Sequence, residues 1–160
     1  MPTAPTVSRT RAWLVVLVAT LTMTISYLDR QALSVLAPTV TEAFHLDDTA
    51  YGWLTSAFSI AYLVMAPFAG RAIDRFGARR GLPIAVVLWS IVAALHAFTL
   101  GFASLFFLRV LLGAAEAPSF PGATQAVDRV LEPRDRARGV GVLFTGSSIG
   151  AMVVPTIAVA

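Results

Sequence analysis

Five long apolar stretches, separated by short polar segments, dominate the pattern along this chain of 160 residues. A helix that crosses the hydrocarbon core of a bilayer needs about 20 predominantly apolar residues. Each stretch is close to that length once tilt is allowed for, so each is predicted to span the membrane. The predicted spans are residues 12–37, 51–71, 82–99, 102–126 and 139–160. The pattern therefore predicts an all-α integral membrane protein.

The arginines predict how these spans are oriented. The chain has 12 basic residues, all of them arginine, and most lie in three clusters that flank the spans. The clusters are Arg9 and Arg11; Arg71, Arg75, Arg79 and Arg80; and Arg129, Arg134, Arg136 and Arg138. Cytoplasmic loops are rich in basic residues, whereas the connections at 38–50 and around Gly101 contain none. Residues 1–11 are therefore predicted to form a cytoplasmic tail.

Composition narrows the classes of function. Apolar residues make up 57% of the chain and charged residues 13%, well outside the average for a soluble domain. The net charge of +3 could indicate nucleic-acid binding, but arginines that flank apolar spans fit membrane topology better. There is no cysteine, which excludes disulfides and thiolate metal sites, and no HExxH motif, nucleophile elbow or His/Asp metal cluster indicates an enzyme. No cofactor, metal or nucleic-acid partner is predicted.

Charged residues inside the predicted spans are the candidate functional residues, because each costs at least about 2.5–3.5 kcal/mol to insert. Asp29 lies about 13 Å inward from the end of span one, and Arg109 about 10 Å inward from the same side in span four. The matching depths predict a hydrogen-bonded pair between them. Glu116, almost two turns beyond Arg109, is predicted on the same helix face near the bilayer midplane, whereas Arg30 points about 100° away from Asp29.

Two acids and two bases in the membrane suggest coupled movement of a proton and an anion. A carboxylate in a low-dielectric cavity can titrate near neutral pH, while arginine stays charged. Protonation of Asp29 or Glu116 would then free an arginine to bind a substrate carboxylate. The alternative is that Asp29 and Arg109 form a fixed clamp between helices that does not titrate.

Other side chains in the spans allow more than one interpretation. Tyr27 and Tyr62 offer hydroxyls and flat faces suited to a polyhydroxylated ligand, although packing would explain them equally well. His96 is expected to pack or to bond to the backbone rather than to relay protons. Gly146 and Gly150, four residues apart, are predicted to let two helices approach closely.

The segment between spans two and three resembles the signature loop of the major facilitator superfamily. It reads Gly70-Arg71-Ala72-Ile73-Asp74-Arg75-Phe76-Gly77-Ala78-Arg79-Arg80. A merely basic turn would explain its arginines but not its Gly/Asp/Gly spacing. Gly70 is expected to allow a close helix approach, Gly77 a tight turn, and Asp74 a position against a helix N-terminus or an arginine of the opposing half. Arg75 and Arg79 are expected to anchor the topology.

Three further motifs resemble the anion:cation symporter family, especially its bacterial hexuronate and sugar-acid proton symporters. They are Tyr27-Leu28-Asp29-Arg30-Gln31, Arg109-Val110-Leu111-Leu112-Gly113-Ala114-Ala115-Glu116-Ala117 and Ser119-Phe120-Pro121-Gly122. The resemblance implies a role for each of six residues: substrate binding for Arg30, Tyr27 and Tyr62, and proton coupling for Asp29, Glu116 and Arg109. In this reading Arg30 binds the substrate carboxylate and Arg109 pairs with the acids.

Departures from the family pattern bear on substrate and mechanism. Ser147 and Ser148 stand where several relatives carry an Asn or Gln that contacts sugar hydroxyls, so the identity of the sugar acid stays open. Thr55 stands where vesicular glutamate relatives carry a His, which argues against a glutamate carrier. Gly150 is not followed by proline, unlike the Gly-Pro pair of drug/proton antiporters, and this favours symport.

The resemblance implies twelve spans in two six-helix halves with the site between them. Residues 12–160 would then supply five helices of the N-terminal half, and the chain is expected to be a fragment whose partner is the missing C-terminal half. The predicted function is proton-coupled symport of a small organic anion, such as a hexuronate, across the inner (plasma) membrane. A proton-coupled antiporter and a non-transporting membrane scaffold are the alternatives.

Overall fold

The computed structural model describes residues 8–158, with side chains as far as Val153. Over this range the chain is helical with short connections. The elements are α1 (Arg9–Val35), α2 (Ala37–Ala43), α3 (Asp48–Phe76), α4 (Ala78–Leu95), a 3-10 turn (His96–Phe98), α5 (Phe102–Glu116), α6 (Ser119–Val130) and α7 (Pro133–Ala158). The all-α prediction is confirmed over the described residues.

Four of these helical stretches are long and apolar enough to cross a membrane. They are Arg9–Val35, Asp48–Phe76, Ala78–Phe98 and Phe102–Val130. They correspond to the first four predicted spans. The fifth predicted span, 139–160, overlaps α7, which begins earlier, at Pro133, and is 26 residues long; residues 159–160 lie outside the described range.

The element boundaries differ from the predicted ones at several places, and α2 lies largely in the predicted connection 38–50. α1 already includes Arg9 and Arg11, which were assigned to the tail. The segment 72–81, predicted as a connection, is almost wholly helical, because α3 continues to Phe76 and α4 begins at Ala78. The fourth span is not one helix, since α5 ends at Glu116 and α6 begins at Ser119. Pro118 lies at that break, and proline removes a backbone donor from the helical ladder.

The helices pack as two groups around shared apolar cores. α1 packs mainly against α7 and α6, and α3 packs mainly against α5, while α4 lies along α5 and α6. One core joins Val16 and Met23 of α1 with Val127 and Leu143. A second core is built around Trp89 and other residues of α3, α4 and α5. These contacts fix α1 and α5, the two helices that carry charged residues inside the bundle.

Glycines on α7 let it approach α1 closely, as predicted. A Cβ added at Gly146 would collide with Thr20, and one at Gly150 would collide with the backbone of Thr24. The close approach also allows the Thr24 hydroxyl to donate a hydrogen bond of 3.0 Å to the Gly146 carbonyl. At Gly70 the predicted close approach is wrong within the described part of the chain, because no atom of another helix lies within 4 Å of the position that its Cβ would take.

The outer faces of the long helices carry exposed apolar side chains that fit contact with lipid. Exposed examples on α1, α3 and α4 are Leu17, Val18, Leu63, Phe68, Val87 and Leu88. Large apolar side chains along whole helix faces are typical of helices surrounded by hydrocarbon.

Replacing Gly146 by valine is expected to destabilise the protein by about 1–3 kcal/mol, the usual cost of forcing extra carbon atoms into a packed interface. Gly141→Val is the matched control on the same helix, because a Cβ there meets nothing within 4 Å. Thermal unfolding of the purified protein in detergent should give a lower Tm for Gly146→Val than for Gly141→Val. Equal Tm values for the two variants would contradict the close approach of α1 and α7.

Candidate functional site

The centre of the bundle contains an ion pair between α1 and the end of α5. Arg30 Nε lies 3.0 Å from Glu116 Oε2, and the Ser26 hydroxyl donates a second hydrogen bond of 2.9 Å to the same oxygen. The Glu116 side chain is 0% exposed and that of Arg30 is 21% exposed. The charge of Glu116 is therefore held by one cation and one hydroxyl, away from lipid.

Local sequence explains how these groups meet. Ser26 and Arg30 are four residues apart on α1, so they project from the same helix face one turn apart. Glu116 is the last residue of α5, directly before the break at Pro118. The shared face of α1 thus brings Ser26 and Arg30 together, and the end of α5 places Glu116 beside them. Ser26 was not singled out in the sequence, although its spacing from Arg30 is a usable signal.

Aromatic rings surround the Arg30 guanidinium. Its central carbon lies 4.4 Å from the centre of the Tyr62 ring, 4.9 Å from that of Tyr27 and 5.3 Å from that of Phe58. Phe58 also stacks on Tyr62, with 6.1 Å between ring centres. Rings at these distances attract a cation. The structure thus brings Tyr27 and Tyr62 to Arg30, and it adds Phe58, one helical turn before Tyr62, which the sequence analysis missed.

The predicted pair of Asp29 and Arg109 is wrong as a direct contact. Among the described residues, the ion pair inside the bundle is Arg30 with Glu116, and Asp29 makes no ion pair within 4.0 Å. The depth argument placed Asp29 and Arg109 at one level but did not fix the distance between their helices. α1 packs on α6 and α7 rather than along α5, so the short Asp29 side chain does not reach Arg109.

Asp29 and Arg109 nevertheless face one cavity of about 280 Å³. Arg109 is 5% exposed, and its guanidinium carbon lies 4.8 Å from the centre of the Phe58 ring. Its Nε atom is buried without a hydrogen-bond partner in the described part of the chain. The Phe58 ring therefore lies against both arginines.

At the opposite end of the bundle, the signature segment forms a compact joint between α3 and α4. Gly77 adopts φ +80°, a conformation that glycine takes at little cost. The Asp74 carboxylate accepts a 3.0 Å hydrogen bond from the side-chain amide of Gln125 on α6. The amide oxygen of Gln125 accepts a 2.8 Å bond from the Ala78 backbone N–H at the start of α4. Asp74 is thus linked to a helix N-terminus through Gln125 rather than directly. Arg75 and Arg79 are both exposed.

Comparison with known proteins settles the family. A sequence profile of the Major Facilitator Superfamily matches residues 19–160. The chain belongs to the Major Facilitator Superfamily. The predicted family and the predicted membrane fold are therefore confirmed, and this superfamily member is a multi-pass membrane protein.

Relatives within the superfamily include named sugar-acid transporters. The hexuronate transporter of Escherichia coli strain K12 is 33% identical over 147 residues, which cover 92% of this chain and 34% of that protein. The hexuronate transporter of Bacillus subtilis strain 168 is 37% identical over 129 residues, covering 81% of this chain and 31% of that protein. The galacturonate transporter of Dickeya chrysanthemi is 31% identical over 147 residues, or 92% and 43% of the two chains.

A solved structure has the same fold as this superfamily member. It is a bacterial homolog of the human lysosomal transporter Spinster in an inward-facing and occupied conformation, with a TM-score of 0.85 and 26% identity. The match covers 92% of this chain and 32% of that one. The chain thus spans about a third of the length of the hexuronate transporters and of the solved structure.

Truncating Glu116 is expected to destabilise the protein far more than truncating an exposed acid. Glu116→Ala leaves Arg30 as a half-buried cation without a counter-ion, and breaking a buried pair in this way costs about 3–5 kcal/mol. The matched control is Glu132→Ala, which removes an exposed pair with Arg134 at 2.9 Å and should cost about 0–1 kcal/mol. Thermal unfolding in detergent measures both. A Glu116→Ala variant as stable as Glu132→Ala would contradict the ion pair at the centre of the site.

Proposed function

We propose that this superfamily member is part of a transporter that moves a small carboxylated sugar acid, such as a hexuronate, together with protons. The observation that carries the proposal is the buried pair of Arg30 and Glu116, bonded at 3.0 Å beside two tyrosines. It combines a permanent cation with an acid that can change its charge. The names of the hexuronate and galacturonate transporters among the relatives support the same substrate class.

The coupling follows from competition for Arg30. While Glu116 is ionised, its carboxylate is bonded to the Arg30 guanidinium, and the pair has no net charge. When Glu116 takes up a proton, the attraction is lost, and Arg30, which stays protonated at all physiological pH values, needs another anion. A sugar-acid carboxylate can replace it with two parallel hydrogen bonds. Proton and anion would then be bound together and released together.

In this part of the transporter, the two tyrosines supply the groups that would contact the sugar ring and its hydroxyls. Tyr27 and Tyr62 have their rings 4.9 Å and 4.4 Å from the guanidinium carbon. Each combines an apolar face, suited to the C–H groups of a sugar ring, with a hydroxyl that can bond to a sugar hydroxyl. In this proposal Arg30 selects the carboxylate, and the tyrosines favour a polyhydroxylated body over a simple fatty acid.

Asp29 is proposed as a second proton-carrying acid, and Arg109 as the fixed cation that balances the two acids. Both face the cavity of about 280 Å³, and Arg109 has a buried Nε atom that none of the described residues bonds. In this proposal the permanent charge of Arg109 attracts an ionised Asp29 across the cavity without direct contact. Protonation of Asp29 would remove that attraction, so both acids can respond to the proton gradient.

Orientation and the second half of the site complete the proposal. With the arginines of the α3–α4 and α6–α7 connections facing the cytoplasm, the N-terminus is cytoplasmic and the α2 end faces outward, in the plasma membrane. The remaining two thirds of the full-length protein would supply the opposing half of the pocket. The joint formed by Gly70, Asp74, Arg75, Gly77 and Arg79 would then lie against that half and respond to its rocking.

Transport by the full-length protein in proteoliposomes tests this proposal. An outside-acid gradient should drive accumulation of galacturonate or glucuronate in the wild type. Arg30→Ala should abolish both accumulation and counterflow exchange, because the carboxylate loses its cation. Asp29→Asn and Glu116→Gln should retain counterflow but lose accumulation, because neither side chain can carry a proton.

The exposed acids Asp48 and Glu132 provide matched controls, and Asp48→Asn and Glu132→Gln should accumulate substrate like the wild type. Undiminished uphill uptake by both Asp29→Asn and Glu116→Gln would overturn the coupling. Drug efflux driven by proton influx, without sugar-acid uptake, would instead favour an antiporter.

A further inference from the structure

Arg109 is a buried cation without an opposite charge in contact. The residue is 5% exposed, and in the described part of the chain it forms no ion pair within 4.0 Å. Its Nε atom is buried and has no hydrogen-bond partner among the same residues. Burying a charge is costly unless another group compensates for it. Some other group must therefore hold this guanidinium in place.

The group that faces this guanidinium is the ring of Phe58. The central carbon of the Arg109 guanidinium lies over the ring, 4.8 Å from its centre. The face of an aromatic ring is partly negative and attracts a cation, and the attraction is strongest where water is excluded. Among the described residues, no other ring lies over Arg109. The Phe58 ring is thus the compensating group that the structure offers.

Helix packing explains why Phe58 meets Arg109. Gly113 follows Arg109 by four residues on α5, so the two lie on one helix face, one turn apart. A Cβ added at Gly113 would collide with the Phe58 carbonyl oxygen. The absence of a side chain at Gly113 therefore lets α3 approach this face closely. That approach places the Phe58 ring beside the guanidinium.

Packing keeps the Phe58 ring in this position. Phe58 is buried and belongs to the core that contains Ala85, Trp89 and Leu112. Its ring stacks on that of Tyr62, with 6.1 Å between the centres and 21° between the planes. Side chains in a close-packed core have few alternative positions. The ring is therefore a fixed site for a cation rather than a side chain that follows the movements of the arginine.

The titratable groups around Arg109 include two acids that could bind it directly. Asp29 lines the same cavity of about 280 Å³, together with His96. Glu116 acts on Arg109 electrostatically from two turns further along α5, but its carboxylate is bonded to Arg30. A direct bond from Arg109 to either acid would stabilise the ionised acid and oppose proton uptake. An arginine held by a ring stays charged and leaves both acids free to titrate.

We propose that Phe58 is a positioning residue that takes the place of a counter-ion for Arg109, an inference that rests on the proposed proton-coupled transport. The ring holds the guanidinium away from a direct bond to Asp29, so Asp29 can gain and lose a proton. Without the attraction of the ring, Arg109 turns to the Asp29 carboxylate, and that acid stays ionised. The same ring lies 5.3 Å from the guanidinium carbon of Arg30, so it also contacts the cation of the substrate site.

Ring fluorination in the full-length protein tests this role. Phenylalanines with increasing numbers of ring fluorines, introduced at position 58 by nonsense suppression, weaken the negative face of the ring stepwise and change its size little. The initial rate of gradient-driven galacturonate uptake should fall at each step, by about tenfold for the most fluorinated ring, a factor within the range of cation–π energies. Counterflow, which needs no net proton movement, should stay close to that of the unmodified protein.

Phe106 provides the matched control. It lies on α5, like Arg109, and packs on Phe102 with 5.7 Å between the ring centres, and no arginine of the described chain lies over its ring. The same fluorinated residues at position 106 should leave uptake unchanged. Undiminished uptake across the whole series at position 58 would overturn the proposal. Equal loss of counterflow and driven uptake would also overturn it, because that pattern marks a packing role.

Thermal unfolding in detergent separates this inference from the proposed function. Fluorination of Phe58 should lower the Tm of the full-length protein more when Arg109 is present than in Arg109→Met, whose long side chain is uncharged. Such a double-mutant cycle isolates the pairwise contact. An equal change of Tm in both backgrounds would overturn the proposal. If the unmodified protein shows no gradient-driven uptake, the proposed function fails, and the Tm comparison still decides whether the ring holds Arg109.

Discussion

The buried ion pair between Arg30 and Glu116 is the interaction on which the rest of this structure depends. Two opposite charges in a low-dielectric bundle are tolerated only when they bond to each other and to further polar groups. Here the pair is 3.0 Å long and Ser26 adds a hydrogen bond at 2.9 Å. Loss of either charge would leave the other without a partner. In the proposed function, this mutual dependence is what lets a proton or an anion disrupt the pair.

The packing of the helices explains why the pair forms where it does. Gly146 and Gly150 bring α7 against α1, and Gly113 brings α5 against the Phe58 backbone of α3. The break at Pro118 ends α5 at Glu116. Glycines thus set the distances between the helices, and the helix break at Pro118 sets the position of Glu116. The Phe58 ring lies against both Arg30 and Arg109.

Much of the fold could be predicted from the sequence, because apolar length and arginine position are one-dimensional signals. The helix break at Pro118 was missed, since a proline between apolar runs is also common inside membrane helices. The sequence singled out the charged residues inside the bundle but did not predict their contacts. Depth along a helix placed Asp29 beside Arg109, yet pairing also depends on which helices are neighbours. Which helices are neighbours is a property of the whole bundle. In this bundle Glu116 pairs with Arg30 instead.

Proton uptake on substrate binding tests the central claim most directly. Galacturonate added to the detergent-solubilised full-length protein, in weakly buffered solution near neutral pH with an indicator dye, should bind and remove protons from the medium. Glu116→Gln should bind the sugar acid with a smaller proton uptake, because its amide already resembles the protonated acid. Binding of galacturonate to the wild type without any proton uptake would contradict the account.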